Sequence, residues 1–287
     1  MPASPPTPRF RLDRPRVGRW LQVFRPFDFE WNRVTLEIPN LPAPLAGLRL
    51  IHLTDLHVRR RWHDAYDRLI DRVRDADADL LLFTGDFVDD KVNHTPALPT
   101  VHKLAAGLRA KRGCFGILGN HDRMHFAPRL DETPIDRISG QRRVLDFGAT
   151  TPGGPAAAVE LIGLPGSIRK EYPPGFAATM PPPPAAGDPT VRIVLSHFPD
   201  HLRRTADVLR PHLFLAGHTH GGQVCLPGGT PIIKHDALPR RLCSGVHRVG
   251  DTWLVVGRGF GTTSLPLRVF CAPEVIEIEL VPVGTLG

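Results

Sequence analysis

Short runs of consecutive apolar residues alternate along the chain with segments whose apolar positions recur every three or four residues. Leu48 to Thr54 (LRLIHLT) reads as a strand, and the stretch from about Trp62 to Ala76 carries Tyr66, Leu69, Ile70 and Val73 at helical spacing. The pattern then repeats. Asp79 to Thr84 (DLLLFT) is a buried strand, Leu98, Val101, Leu104, Ala105 and Leu108 mark a helix closed by Gly113, and Cys114 to Leu118 (CFGIL) is a third strand. Val144 to Thr150 and Ala158 to Leu164 predict a hairpin. Val191 to Ser196 (VRIVLS) leads into a helix with Leu202, Ala206 and Leu209 that stops at Pro211. Leu213 to Ala216 (LFLA), Trp253 to Val256 and Val275 to Leu280 add strands, and Arg33 to Ile38 alternates like an edge strand. Near-continuous apolar strands between helices predict an α/β architecture with a largely buried sheet. The strand-only runs of the second half predict two sheets packed between helices.

The organisation is a basic, aromatic segment over residues 1–31, then one domain over 32–287 with a Pro-rich insertion at 166–190. Seven prolines make that insertion too long and irregular for an ordinary connection. It is either a loop that shapes a substrate site or a surface insertion. In the first 25 residues Arg9, Arg11, Arg14, Arg16, Arg19 and Arg25 oppose only Asp13. Val17, Trp20, Leu21 and Phe24 have the spacing of one helical stripe, which Pro26 ends before Phe27, Phe29 and Trp31. A basic helix with Trp and Phe on one face is suited to a membrane interface. The plainer reading packs these aromatics onto the domain and leaves the arginines solvated.

Composition narrows the function classes. Hydrophobic content of 41% and charged content of 23% are those of a soluble globular chain. The net charge of +7 favours anionic partners, namely phosphate esters, nucleic acid or an acidic membrane surface. No Lys/Arg stripe with interleaved aromatics occurs outside the N-terminus, which argues against nucleic acid. Cys114, Cys225, Cys243 and Cys271 form no CxxC pair, so buried reduced thiols are expected rather than a zinc site or disulfide framework. No apolar run approaches the roughly 20 residues of a membrane span, and the N-terminus lacks an apolar signal core. The expected location is cytoplasmic, with a peripheral position at the inner membrane surface if residues 1–31 bind it.

Five apolar runs end in residues of metal-binding type: Asp55-Leu56-His57, Gly85-Asp86, Gly119-Asn120-His121-Asp122, His197, and Gly217-His218-Thr219-His220. In open α/β sheets, sites form beyond the carboxyl ends of the strands, where all five sets would converge. Residues two apart on an extended backbone point the same way. Asp55 and His57 would therefore reach one cation, while His218 and His220 splay toward two. The preceding glycines permit close backbone approach. Taken singly, Asp55 or Asp86 reads as a helix cap, His197 as a core histidine, and His121 and Asp122 as turn residues. Independent caps and turns would not supply metal-ligand types at the same strand-end position five times.

The ordered set DLH, GDFVD, GNHD, a lone strand-end His and GHTH resembles the calcineurin-like metallophosphoesterases across Asp55 to His220. GHTHGGQV at 217–224, GRGFGTTSLPLR at 257–268 and the later PEVIEIEL resemble a bacterial subgroup more narrowly. That subgroup contains broad phosphodiesterases and UDP-2,3-diacylglucosamine pyrophosphohydrolases. The resemblance implies a four-layer α-β-β-α sandwich of two mixed sheets flanked by helices. It implies one divalent metal on Asp55, His57, Asp86 and His220, and a second on Asp86, Asn120, His197 and His218, with Asp86 bridging. It gives His121 the role of proton donor or charge stabiliser beside the substrate, with Asp122 orienting it, and leaves Asp89 as a loop support or a cap. The reaction implied is hydrolysis of a phosphodiester or pyrophosphate bond through a metal-bridging hydroxide, on a lipid-linked or nucleotide-linked substrate. Paired metals about 3.5–4 Å apart generate such a nucleophile and clamp the phosphoryl group. With mixed N/O ligands and no thiolate, Mn, Fe, Zn and Co all suit, and Mn is favoured. Phosphoprotein phosphatases carry GDxVDRG and an Arg before GNHE, whereas this chain has GDFVDD, Leu118 and GNHD. A nuclease or cyclic-nucleotide phosphodiesterase of the same fold stands as the alternative. A non-catalytic scaffold is disfavoured, because all seven ligands are present.

Overall fold

The computed structural model describes residues 7–13, 20–23, 28–89, 93–149, 153–154, 156–166, 176–185, 187–233, 238–263 and 265–287. The first half of the chain supplies β1 (Phe10–Asp13), β2 (Leu21–Val23), β3 (Glu30–Ile38), β4 (Leu48–Leu53), α1 (Asp64–Ala76), β5 (Leu80–Phe83), α2 (Leu98–Gly107), β6 (Cys114–Gly116), α3 (Arg123–Asp131) and β7 (Ile135–Arg137). The second half supplies β8 (Gln141–Ala149), β9 (Ala156–Gly163), α4 (Phe176–Thr179), β10 (Thr190–Leu195), α5 (Leu202–Leu209), β11 (Leu213–Ala216), β12 (Gly245–Val249), β13 (Thr252–Val256), β14 (Leu267–Val269) and β15 (Glu274–Pro282).

These strands form two large mixed sheets, in the orders β1-β3-β15-β4-β5-β6-β7 and β12-β13-β11-β10-β9-β8, with β14 and β2 as a small antiparallel pair. Three apolar clusters fix four layers. Ile51, Leu53, Leu81 and Phe83 of the first sheet meet Tyr66, Leu69, Val101 and Leu104 of α1 and α2. The opposite-facing Leu48, Leu50, Leu80 and Leu82 meet Leu161, Ile193, Leu213 and Leu215 of the second sheet. The far face of that sheet, with Val194 and Phe214, packs on Leu202 and Leu209 of α5. Both sides of each central strand are thus enclosed, which is why those strands read as unbroken apolar runs. All four cysteines are buried, free thiols.

Two expectations change. The Arg33 to Ile38 run is not an edge: β3 lies between β1 and β15. Asn32 and Glu37 face inward because each has a partner, whereas Arg33 is exposed. Asn32 donates to Glu274 (2.6 Å), and Glu37 accepts from the backbone N–H of Arg9, Gly284 and Leu286. The helical stripe through Trp20 and Leu21 is not helical either, because Leu21–Val23 is a strand hydrogen-bonded to β14. Val17 and Phe24 lie outside the described residues. Among the described residues, aromatics of this segment do pack onto the domain: Phe10 lies edge-on to Trp253, Trp20 stacks on Phe270, and Trp31 is buried. Within 166–190, Phe176 and Met180 pack against the second sheet, and the Pro182 carbonyl accepts from the buried Arg192 (2.8 Å).

Candidate metal centre

The loops leaving β4, β5, β6, β10 and β11 meet at one end of the two sheets. His57 Nε2 lies 3.0 Å from His220 Nε2, 3.6 Å from Asp86 Oδ2 and 3.9 Å from Asp55 Oδ1. His220 Nε2 is 3.3 Å from Asp55 Oδ1, and His197 Nε2 is 3.3 Å from Asp86 Oδ2 and 3.1 Å from Asn120 Oδ1. Asp55, His57, Asp86, His197 and His220 are all buried. His218 joins them through its backbone N–H, which donates to both Asp55 oxygens (3.2 and 3.0 Å), while its ring packs edge-on to His197 and Phe198. A ring nitrogen of His121 also lies within 4.8 Å of ligand atoms of His57 and Asp86.

The backbone that brings these groups together is left-handed, not extended. Asp55 (φ 50°), His57 (44°), Asp86 (56°), His218 (69°) and His220 (51°) all lie in a region that side-chain-bearing residues seldom occupy. Asp55 and His57 therefore converge because both are coiled back, and not because alternate residues of a strand share a face. Such conformations persist only where the surroundings over-determine them, and they cluster at functional sites. Gly217 shows the closeness of the approach: a Cβ there would fall on the Thr54 hydroxyl and the Asp55 carboxylate.

A second ring of contacts holds these candidate ligands. Thr54 Oγ1 donates to Asp55 Oδ2 (2.6 Å), and the Thr84 carbonyl lies 2.8 Å from His197 Nδ1. Asp89 Oδ1 sits 3.3 Å from His57 Nδ1, and Asp89 Oδ2 accepts from Arg59 (2.9 Å). The His121 ring is fixed through Nδ1 to the Asp89 carbonyl (2.8 Å), while its backbone N–H donates to Asp86 (2.7 Å). Both Asp122 oxygens are taken by backbone N–H groups, of Phe87 and Val88 on one and Gly119 on the other. Asp122 thus ties the β5 loop to the β6 loop, and the group seen holding the His121 ring is Asp89. Asp89 was visible in the GDFVD motif, whereas Thr54 and Thr84 left no signal beyond lying at strand ends.

The protein's own charges agree with a cation-binding role. Burial opposes ionisation of Asp86, yet the neighbouring histidines pull its carboxyl far below the usual range. Burial would lower His197, but Asp86 and Asp55 raise it to about 9. Burial raises Asp55 and, with the Asp86 charge, pushes Asp122 up to about 7 against its three N–H donors. His220 is held well below its ordinary value by burial, by His57 and by Arg268. Two imidazole nitrogens 3.0 Å apart cannot both point a proton at each other. A divalent cation accepting both lone pairs, with carboxylate oxygens beside it, fits this donor set.

Comparison with known proteins agrees with the geometry. The family model described as calcineurin-like phosphoesterase matches residues 48–222. The chain is 27% identical to the uncharacterized metallophosphoesterase YkuE of Bacillus subtilis (strain 168), over 91% of this chain and 88% of that protein. It is 28% identical to the UDP-2,3-diacylglucosamine pyrophosphatase LpxG of Chlamydia muridarum (strain MoPn / Nigg), over 72% and 74%. It is 30% identical to the phosphodiesterase YaeI of Escherichia coli (strain K12), over 82% and 83%.

Proposed function

The chain belongs to the calcineurin-like phosphoesterase family and is a metal-dependent phosphoric ester hydrolase, and we propose that it cleaves a phosphodiester or pyrophosphate bond in a lipid-linked or nucleotide-linked substrate. The observation that carries this reading is the buried cluster in which Asp86 faces His57 on one side and His197 on the other. Asp55, His57, Asp86 and His220 would hold one cation, and Asp86, Asn120, His197 and His218 the other, with Mn favoured. When bound, the pair supplies Lewis-acid stabilisation and a nucleophile at neutral pH.

The chain's own residues do the rest. His121, whose Nδ1–H donates to the Asp89 carbonyl, is left with Nε2 as the atom that, in the imidazolium form, would give a proton to the leaving-group oxygen or stabilise its charge. Asp122 keeps the two ligand loops in register. The preference for diesters and pyrophosphates rests on the activities for which the relatives LpxG and YaeI are named. It also rests on Leu118, which is apolar and buried where the monoester-cleaving protein phosphatases carry Arg. The test is metal analysis of the purified chain, with hydrolysis of an aryl phosphodiester, a nucleoside-diphosphate lipid, a cyclic nucleotide and an aryl monoester. Two metals per chain and preference for the first two substrates are expected. Full activity with one metal, or preference for the monoester, overturns the reading.

The anionic membrane surface remains part of the proposal, on a sheet instead of a helix. No helix among the described residues is long and apolar enough to cross a membrane. Among the described residues, seven of the eleven exposed large hydrophobic side chains, Trp20, Leu21, Val23, Leu226, Ile232, Ile233 and Leu265, belong to β2 and the segments around β14. Register joins them: Leu21 opposes Val269, Val23 opposes Leu267, Val224 bridges Val269, and Ile232 N–H donates to Val224. An apolar face of this kind marks an interaction surface. In sequence, Arg19 precedes it and Arg25 follows β2, which supports an anionic leaflet as the partner.

A further inference from the structure

The GRGFGTTSLPLR motif, distinctive in the sequence, contributes none of the seven cation ligands. Its last residue, Arg268 on β14, is almost fully enclosed at 1% exposure. The guanidinium is committed to backbone carbonyls. Nε donates to Gly261 (3.1 Å), Nη2 to Arg258 (2.9 Å) and Gly259 (3.1 Å), and Nη1 to Cys271 (3.2 Å). None of these carbonyl partners is a carboxylate; Nη1 also lies 3.9 Å from the Cys271 sulfur, and the charges of Asp55 and Glu274 act on the guanidinium from further off, so the carbonyl set supplies its direct contacts.

Three of those carbonyls belong to residues 257–261, and that segment is built against two cation ligands. Gly261 N–H donates to the Asp55 carbonyl (2.7 Å), and Phe260 N–H to that of Thr54 (3.0 Å). Gly259, at φ +78°, packs so closely that an added Cβ would lie 2.8 Å from Asp55 Cβ and 3.3 Å from His220 Nδ1. Arg268 Nη2 itself lies 3.4 Å from His220 Nδ1. The far side of the segment is braced by Glu274, whose carboxylate accepts the Arg258 N–H (2.7 Å) and pairs with its guanidinium (2.8 Å). The opposite half of the centre is held elsewhere, with His197 on the Thr84 carbonyl and Asn120 on His197.

We propose that Arg268 is a positioning residue for one of the two cation sites: by clamping residues 257–261 it fixes Asp55 and His220, and its loss weakens the cation at Asp55, His57 and His220 while sparing the one at Asn120 and His197. The inference rests on the two-cation reading given above. Only a planar fork with five donors covers this set of carbonyls, so lysine keeps the charge but not the clamp. Outer partners of metal ligands typically alter affinity about 10–100-fold.

The experiment is a Mn²⁺ titration of the metal-stripped full chain by calorimetry, with Arg268→Gln, Arg268→Lys and Gly259→Ala beside the wild type and circular dichroism confirming each fold. Wild type is expected to bind two Mn²⁺. Arg268→Gln is expected to lose about 10–100-fold at one site only, and Arg268→Lys to recover part of that loss. Gly259→Ala presses on the same two ligands with Arg268 intact and is expected to reproduce the one-site defect, which keeps the test usable if Arg268→Gln does not fold. Anomalous scattering from crystals with one Mn²⁺ per chain should place the retained ion beside His197. A single Mn²⁺ in wild type overturns the two-cation reading itself. Two unchanged sites in folded Arg268→Gln, or equal weakening of both, overturns the role of Arg268 alone.

Discussion

Asp86 is the side chain on which both halves of the cluster converge, facing His57 Nε2 at 3.6 Å and His197 Nε2 at 3.3 Å. Asp86→Asn removes the shared charge and is expected to lower metal content at both sites, as measured by elemental analysis. His121→Ala is expected to keep both metals and to slow turnover by about 10²–10⁴-fold, the usual contribution of a proton-transfer group. Loss of metal from His121→Ala would make His121 a ligand, a role its closeness to His57 and Asp86 also permits. His52 makes a different prediction, about stability. Burial holds this ring near a pKa of about 4, with Nε2 2.9 Å from the Thr84 hydroxyl. The unfolded chain would protonate the same ring near 6.5. The stability contributed by the neutral ring is therefore complete above pH 6.5 and falls as pH drops toward 4, by about 3 kcal/mol at 1.36 kcal/mol per pKa unit. Denaturant unfolding of wild type and His52→Gln at pH 7 and pH 4.5 should show the smaller acid loss in the variant; equal losses would remove His52 as the cause.

At the scale of elements, what the sequence made legible was what burial writes into it. β4, β5, β6, β10 and β11 are enclosed on both faces, so each is an apolar run, and each ends in polar ligands because the loops beyond are where the sheets open. Local pattern failed where the deciding partner was far along the chain. Trp20 and Leu21 fit a helical stripe, but β14 claims Leu21–Val23 as a strand. The inward-facing Glu37 of β3 looked like an exposed position because its donors come from both ends of the chain. The left-handed backbone of the ligands was also invisible, since no glycine marks Asp55, His57 or His220 themselves. The crossing of the β4 and β11 ends gives the prediction for this scale. Gly217→Ala places a methyl group on Thr54 and Asp55, and forced overpacking of this kind typically costs about 1–3 kcal/mol. The variant is expected to melt lower and to lose metal on the Asp55 side. Unchanged melting and full metal content would mean that the two strand ends have room to separate.

Across the whole molecule, the centre lies where loops of both sheets meet, and one of those loops continues directly into the exposed apolar face. Gln223, just after the GHTHGG turn, donates to the Leu265 carbonyl (2.9 Å) and accepts from Thr263 N–H (3.0 Å). Docking of this face on a leaflet would therefore bring the ligand loops toward the surface in which a lipid-linked ester resides. Deleting residues 1–31 is a poor test, because it removes β1 and the buried Glu30 and Trp31. Introducing negative charge on the face is cleaner. Leu21 and Ile232 are 41% and 49% exposed, so Leu21→Asp with Ile232→Asp should leave the fold intact. The double variant is expected to lose sedimentation with phosphatidylglycerol vesicles at low salt while hydrolysing a water-soluble aryl diester at the wild-type rate. Wild-type binding should weaken as salt rises, because each cation near an anionic surface contributes only about 1 kcal/mol within a Debye length. Wild-type protein that ignores anionic vesicles at low salt, or a double variant that still binds them, would overturn this apolar face as the membrane-docking surface.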